Sequence, residues 1–272
     1  MTTVSQQLTD PAAGDPETTP PAPGTRWGRI GLGLVVPLAL LALWQAVTAA
    51  GLYSPSQLPP PTDVLSAAGD LLTEGALWNH LAISVQREFI GYLAGAGAAL
   101  ALGALIGLSD IARRMLAPTV EILRTVPSLA WVPLLLLWLG IGEQPKIVLV
   151  AIGAFFPIYT TTASALSQVD PHLIEVGRAY GLRGAALLAR IMLPAAAPSI
   201  LNGLRLGLVN GWLFLVAAEL IASSKGLGFL LIDSQNTGRT DIMLLAIVLL
   251  AGLGKVSDIA FGAVERAVVA RR

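Results

Sequence analysis

The chain has 272 residues, of which 54% are hydrophobic and only 12% are charged, and its mean hydropathy is +0.71. Soluble domains carry about 25% charged residues, so this composition is too apolar for a chain whose whole surface meets water. The 17 basic and 17 acidic residues balance, which argues against a nucleic-acid partner, and the absence of cysteine excludes disulfides and thiolate metal sites.

The first 25 residues differ in composition from the rest of the chain. They are rich in proline, threonine and alanine, and they contain three acidic residues but no lysine or arginine. Such a segment has too little apolar surface to order itself, and it lacks the cationic start of a signal peptide. We predict that residues 1–25 form a disordered cytoplasmic tail.

Six apolar segments follow, each close to the roughly 20 residues that a helix needs to cross a bilayer. They run over Ile30–Ala50, Phe89–Leu108, Thr119–Ile141, Ile147–Leu166, Ala195–Ala222 and Ile242–Ala263. Glycines recur four residues apart in the second and fifth segments, a spacing typical of closely packed helices in lipid. The sequence therefore predicts an all-α membrane protein with six transmembrane helices.

The predicted spans divide the chain into regions. Residues 26–76 hold the first span and a polar, proline-rich external segment, residues 77–266 form the core transmembrane domain, and residues 267–272 form a second short tail. Thirteen of the 17 lysines and arginines fall on one side if the N-terminus is inside. By the positive-inside rule, we predict a multi-pass protein of the cytoplasmic (inner) membrane with both termini in the cytoplasm.

The longest cytoplasmic loop, residues 168–194, predicts local structure of its own. Asp170 and Pro171 are typical of a helix start, and Gly181 is typical of a helix end. Apolar residues at Leu173, Val176 and Tyr180 recur at helical spacing and form one face. A second short helix over 185–192 follows. This pattern favours a docking surface for another protein; a helix pair lying on lipid headgroups is the alternative.

The same loop resembles a known motif. Glu175, Gly181, Ile191, Leu193 and Pro194 fit the EAA-x3-G-x9-I-x-L-P pattern of ABC-importer permeases, with valine and glycine in place of the two alanines. Residues 122–133, 140–143, 193–200 and 218–228 are also similar to permeases for sulfonates, taurine and nitrate. The resemblance covers residues 77–266.

The resemblance implies a type I ABC-importer permease fold with a cytoplasmic coupling helix. By the motif, the residues that couple to the ATPase are Glu175, Val176, Gly177, Ala179, Tyr180, Gly181 and Leu182. The implied partners are a second permease copy in a homodimer, two ATP-binding cassette ATPase subunits and an extracytoplasmic solute-binding protein.

The chain itself has no phosphate-binding loop, because Gly254-Lys255 is followed by Val256 instead of serine or threonine. We therefore expect a non-catalytic subunit without a cofactor of its own, with ATP and Mg²⁺ bound by the partner ATPase.

Polar residues inside the third and fifth spans are the candidates for a translocation path, because such residues in lipid usually face protein or water. They are Arg124, Asn202, Arg205 and Asn210. Arg205 would attract an anion near the cytoplasmic exit, or else tie two helices together. Arg124 lies three residues after Glu121 and is placed to pair with it. Glu219 would repel an anion and is interpreted as a helix-to-loop anchor.

The sequence leaves the solute open. Aliphatic sulfonates are favoured, and the alternatives in the same importer class are taurine, nitrate or bicarbonate, and a vitamin such as riboflavin or a thiamine precursor. An ion-coupled secondary transporter is the alternative from another class. Such transporters commonly have inverted repeats and broken helices with ion sites at the midplane, whereas this sequence shows no convincing internal repeat and its acidic residues lie near span ends.

Overall fold

The computed structural model describes residues 26–269, so the predicted N-terminal tail lies outside the described residues. Within this part the chain forms helices and turns only. The helices are α1 Arg26–Ala49, α2 Pro61–Thr73, α3 Ala76–Leu108, α4 Asp110–Thr125, α5 Trp131–Leu139, α6 Gln144–Ser167, α7 Pro171–Ala179, α8 Gly184–Leu187, α9 Leu193–Ala222, α10 Leu227–Asn236 and α11 Thr240–Val269.

Four helical segments of the described chain are long and apolar enough to cross a membrane. They are α3, α6, the continuous run from Gly184 through α9 to Ile221, and Thr240–Ala267 of α11. The described apolar part of α1, Val35–Ala49, is shorter. The predicted all-α membrane fold is confirmed, and α11 continues past the predicted start of the C-terminal tail at residue 267.

The centre of the bundle is α6, which packs between α3 and α9. Glycines of the predicted four-residue series make these contacts close. A Cβ atom on Gly91 of α3 would lie 2.6 Å from Cβ of Val150, and one on Gly207 of α9 would lie 2.5 Å from Cδ1 of Ile158. Close approach increases dispersion contacts, which drive helix association in lipid.

The third predicted span is not one helix, and the prediction of a continuous span over Thr119–Ile141 is wrong. α4 ends at Thr125, Val126 is extended (φ −68°, ψ 124°), and a 3₁₀ turn leads into α5. Pro127 causes the break, because proline lacks an N–H and disfavours a helical conformation at the residue before it. Pro133 lies in the first turn of α5, where its missing N–H has no helical partner to lose.

Two short helices, α2 and α10, were missed by the search for spans because each is too short to cross a bilayer. α2 forms within the polar segment predicted as external, and it packs against α11 and α3. α10 contributes Leu227 and Leu230 to an apolar cluster that also contains Leu77 and Ala246. These helices cover one end of the bundle, beside the start of α3.

Candidate coupling surface and translocation path

The loop between α6 and α9 forms the predicted helix. Asp170 precedes α7, and its Oδ1 atom accepts a hydrogen bond from the backbone N–H of His172 at 2.8 Å. After α7 the chain turns through Gly181 (φ +80°) and Gly184 (φ +51°), a backbone region that favours glycine. The predicted start and end of this helix are confirmed.

The predicted second helix of the loop is not a separate element. α8 continues through a π-helical turn, Leu188–Met192, directly into α9. The run from Gly184 to Ile221 has 38 residues, which at 1.5 Å per residue is about 57 Å. A hydrocarbon core is only about 30 Å thick, so part of this run extends beyond the bilayer.

One face of α7 is apolar and exposed. Leu173, Val176 and Tyr180 are 46%, 52% and 85% exposed, and Glu175 and Ala179 are exposed beside them. Apart from Gly181 and its two neighbours in the chain, no atom of the described residues lies within 4 Å of the position that a Cβ on Gly181 would take. The residues that the structure describes leave this surface exposed.

The opposite face of α7 holds the helix in place. Gly177 is buried, and a Cβ at this position would lie 2.7 Å from Cδ1 of Leu187 and 3.0 Å from Cγ1 of Ile191. Glycine in place of the second alanine of the motif therefore permits this close packing. Leu182 is half-buried in the same apolar cluster, so Gly177 and Leu182 position the loop while the other motif residues form its outer surface.

Two of the four predicted path residues line one cavity of about 390 Å³ between α4, α6 and α9. Arg124 lies at its rim, and Nη1 of Arg124 donates to Oγ1 of Thr160 at 3.2 Å. This bond replaces the predicted pairing with Glu121. Asn210 enters from α9, and its Nδ2 atom donates to the carbonyl of Gly153 at 3.1 Å.

The other two path residues lie outside this cavity's lining. Nε of Arg205 donates to Oδ1 of Asp258 at 2.5 Å and Nη2 donates to Oδ2 at 3.0 Å, so Arg205 ties α9 to α11. This is the helix-tying role left open by the sequence. Asn202 lies on α9 four residues before Leu206 and eight before Asn210, and therefore continues the cavity-lining stripe along the helix.

Comparison with protein families decides the class of the chain. Residues 92–270 match the family described as binding-protein-dependent transport system inner membrane component. The chain belongs to this family. It is a permease subunit of an ABC importer that depends on a binding protein, as the loop motif predicted.

Curated relatives cover most of the permease. It is 40% identical over 226 residues to the putative aliphatic sulfonates transport permease SsuC of Bacillus subtilis, covering 83% of this chain and 82% of the relative. It is 41% identical over 231 residues to SsuC of Escherichia coli, covering 85% of this chain and 88% of the relative. The taurine transport permease TauC of E. coli is 36% identical over 232 residues, and the alignment covers 84% of this chain and 86% of TauC.

The fold of the permease also has a solved counterpart. A chain of the MetNI methionine ABC transporter, determined in inward-facing conformations, aligns with a TM-score of 0.59 and 26% identity. The alignment covers 73% of the permease and 96% of that chain. The type I importer fold predicted from the motif is confirmed.

An ion network that is buried except at Glu143 was missed by the sequence reasoning. Nη1 of Arg87 lies 2.7 Å from Oε1 of Glu219, and Nε of Arg87 lies 2.5 Å from Oε2 of Glu143. Nζ of Lys146 donates to Oε1 of Glu143 at 3.1 Å. The four charges cancel, and they join α3, α6 and α9 to the loop before α6.

Glu219 is the anchor that the sequence predicted. It is fully buried, and its carboxylate accepts hydrogen bonds from the Ser84 hydroxyl at 2.9 and 3.0 Å and from the backbone N–H of Gly228 at 2.8 Å. Nη1 of Arg87 also donates to the carbonyl of Lys225 at 2.7 Å. These bonds fix the turn between α9 and α10 to α3.

Glu143 lies outside the spans, in the turn between α5 and α6. The hydrogen bond from Arg87 is the largest influence on its pKa and, with the bond from Lys146, lowers that pKa to about 2 against the opposing effect of partial burial. The carboxylate therefore stays ionised throughout the physiological pH range.

Glu88, next to Arg87, is also fully buried, and neither carboxyl oxygen has a hydrogen-bond partner among the residues that the structure describes. The carboxyl lies against Gly211 of α9, where a Cβ would collide with it. Glycine at this crossing leaves the volume that the Glu88 side chain fills. The predicted second span begins at Phe89, so Arg87 and Glu88 were not among the ionisable residues predicted to lie inside the membrane.

Proposed function

We propose that this permease imports aliphatic sulfonates. The observation that carries the proposal is its similarity to two sulfonate permeases at 40% and 41% identity over more than four fifths of the chain. The cavity beside Arg124 supports it, because an arginine suits the sulfonate group and the surrounding apolar side chains suit an alkyl tail. Among residues 26–269, no acidic residue lines this cavity, so the ammonium group of taurine would lack a counter-charge there.

We further propose that α7 inserts into an ATP-binding cassette ATPase, which binds and hydrolyses ATP with Mg²⁺. The exposed face of Leu173, Val176 and Tyr180 supports this, because an apolar helix face outside the bilayer needs a covering partner. Movement of the ATPases would then move α7 and the long run that begins at Gly184, opening the path to one side and then to the other.

The complete importer, in this proposal, holds two copies of the permease, two ATPase subunits and one extracytoplasmic binding protein. Each chain supplies one α7 helix, so two copies supply one for each ATPase. The cavity at Arg124 opens to the surface of the single chain, and a second copy beside it would enclose a path between the two.

Reconstitution tests this function. We expect the purified complex in liposomes, supplied with its binding protein and internal ATP, to take up pentanesulfonate, and we expect excess taurine or nitrate to compete poorly. Native mass measurement should give two permeases and two ATPases. Uptake of taurine or nitrate in preference to pentanesulfonate would refute the assigned solute, and a second, different permease in the complex would refute the homodimer.

We also propose that both termini lie in the cytoplasm, with α7 on that side and the Arg87 network at the outer end. The chain has no native cysteine, so single cysteines can report on orientation. In intact cells, an impermeant maleimide should label Lys225→Cys and leave Arg183→Cys unlabelled, since both positions are exposed and lie at opposite ends of the bundle. The reverse labelling would contradict this orientation.

A further inference from the structure

The cavity beside the break in the third span has a charged end. Arg124 is exposed at its rim and forms no ion pair with a carboxylate in the described part of the chain. Its guanidinium group has five N–H donors, of which the structure uses one, toward Thr160. The remaining donors and the positive charge are available to an anion.

The other polar groups of the cavity determine where an anion can bind. The Thr160 hydroxyl donates to the carbonyl of Phe156 at 2.8 Å, and the Thr161 hydroxyl donates to the carbonyl of Pro157 at 2.8 Å, so neither hydroxyl has a proton left to donate. Asn210 uses one N–H on Gly153 and keeps the other. Donors to an anion therefore come from Arg124 and Asn210.

The rest of the lining is apolar. Ile152, Phe156, Leu206 and Phe214 surround the polar end, together with Pro157. An adjoining cavity of about 320 Å³ shares Ile152 and Phe156 and is lined by Trp131, whose indole Nε1 atom is buried without a hydrogen-bond partner in the described residues. The combined surface suits a solute with an anionic head and an apolar tail.

The location of the cavity fits a transport site. Asn210 is near the middle of α9, and Ile152 to Thr161 occupy the middle of α6. α4 ends beside the cavity, and interrupted helices are a recurrent setting for solute sites in secondary transporters. Non-helical backbone within a membrane is tolerated where it faces protein or a water-filled cavity.

We propose that the permease has its own solute site, in which the sulfonate group of an alkanesulfonate binds Arg124 and Asn210 while its alkyl chain lies along Phe156 and Phe214. This inference rests on the proposed function, because it takes its solute class from there. The site would hold the solute after its release from the binding protein. The solute would then move along the face of α9 that carries Asn210, Leu206 and Asn202.

Binding to the permease can be measured in the absence of the binding protein. We expect the permease–ATPase complex in lipid nanodiscs to bind radiolabelled pentanesulfonate saturably in equilibrium dialysis, and to bind pentylammonium no better than empty nanodiscs do. Arg124→Gln should weaken pentanesulfonate binding roughly 10- to 100-fold, the range for loss of a charged hydrogen bond. The affinity of Arg124→Lys for pentanesulfonate should lie between those of the wild type and Arg124→Gln, because lysine keeps the charge but lacks the planar guanidinium group.

The matched control is Arg113→Gln, which makes the same chemical change on the same helix at an exposed arginine paired with Asp110. We expect its affinity for pentanesulfonate to equal that of the wild type. Asn210→Leu should also weaken binding, by less than Arg124→Gln does. The inferred site is overturned if Arg124→Gln binds as tightly as the wild type, or if the wild type shows no saturable binding at millimolar pentanesulfonate.

The uptake assay separates this inference from the proposed function. If Arg124→Gln retains wild-type affinity while the wild-type importer takes up pentanesulfonate, the inferred site is wrong and the proposed function stands. If the wild-type importer with ATP and its binding protein takes up no alkanesulfonate, the proposed function is wrong whatever the dialysis result.

Discussion

Gly181→Asp is expected to abolish ATP-driven uptake while the permease still inserts and folds. In the described part of the chain, only the two chain neighbours of Gly181 lie within 4 Å of the Cβ position, so the substitution creates no clash at Cβ. In the complex, we propose, it would place an unpaired carboxylate in the contact between α7 and the ATPase. An uncompensated buried charge costs about 3–5 kcal/mol, which corresponds to at least a roughly 100-fold loss of association.

The backbone contribution must be separated from the charge. Gly181 has φ +80°, a conformation that aspartate and asparagine tolerate better than most other residues. Gly181→Asn therefore has nearly the same shape and backbone cost without the charge, and we expect it to retain more ATPase association and more uptake than Gly181→Asp. Pull-down of the ATPase with the tagged permease measures association directly.

A distant control lies at the other end of α9. Lys225→Ala removes an exposed side chain and keeps the Lys225 carbonyl that Arg87 contacts, so ATPase association should not change. If Gly181→Asp leaves both association and uptake at wild-type levels, α7 is not the element that couples the permease to the ATPase.

The coupling loop was predictable because its signals are local. Asp170 caps the helix that begins at Pro171, and Gly181 adopts the positive φ that ends it. Both effects involve only residues that are a few positions apart in the sequence. The break in the third span also had a local signal in Pro127, but an average over about 20 apolar residues hides a single proline. Hydropathy detects the length of a span and does not detect whether its helix is continuous.

The ion network had no local signal. Arg87 contacts Glu143 and Glu219, which lie 56 and 132 positions away in the sequence, so only the packing of α3 against α6 and α9 brings them together. The surroundings of the path residues also depend on contacts between helices that are distant in the sequence. Arg205 and Asn210 are five residues apart on one helix, yet one faces α11 and the other faces the cavity with Arg124.

This network predicts the largest effect on stability. Arg87 is 3% exposed and Glu219 is fully buried, so Arg87→Met leaves the Glu219 carboxylate without its cation in a site that water does not reach. Removing one partner of a buried ion pair costs about 3–5 kcal/mol. We expect a clear fall in the thermal unfolding midpoint of the purified permease and a lower yield of folded protein.

A second substitution tests whether the uncompensated charge is the cause. Arg87→Met with Glu219→Gln removes both charges of the buried pair, and the glutamine can still accept a hydrogen bond from Ser84 or Gly228. The double variant should therefore be more stable than Arg87→Met alone. Arg113→Met, which breaks an exposed pair with Asp110, should cost at most about 1 kcal/mol. A double variant no more stable than Arg87→Met would show that lost packing around the arginine, and not the stranded Glu219 charge, accounts for the damage.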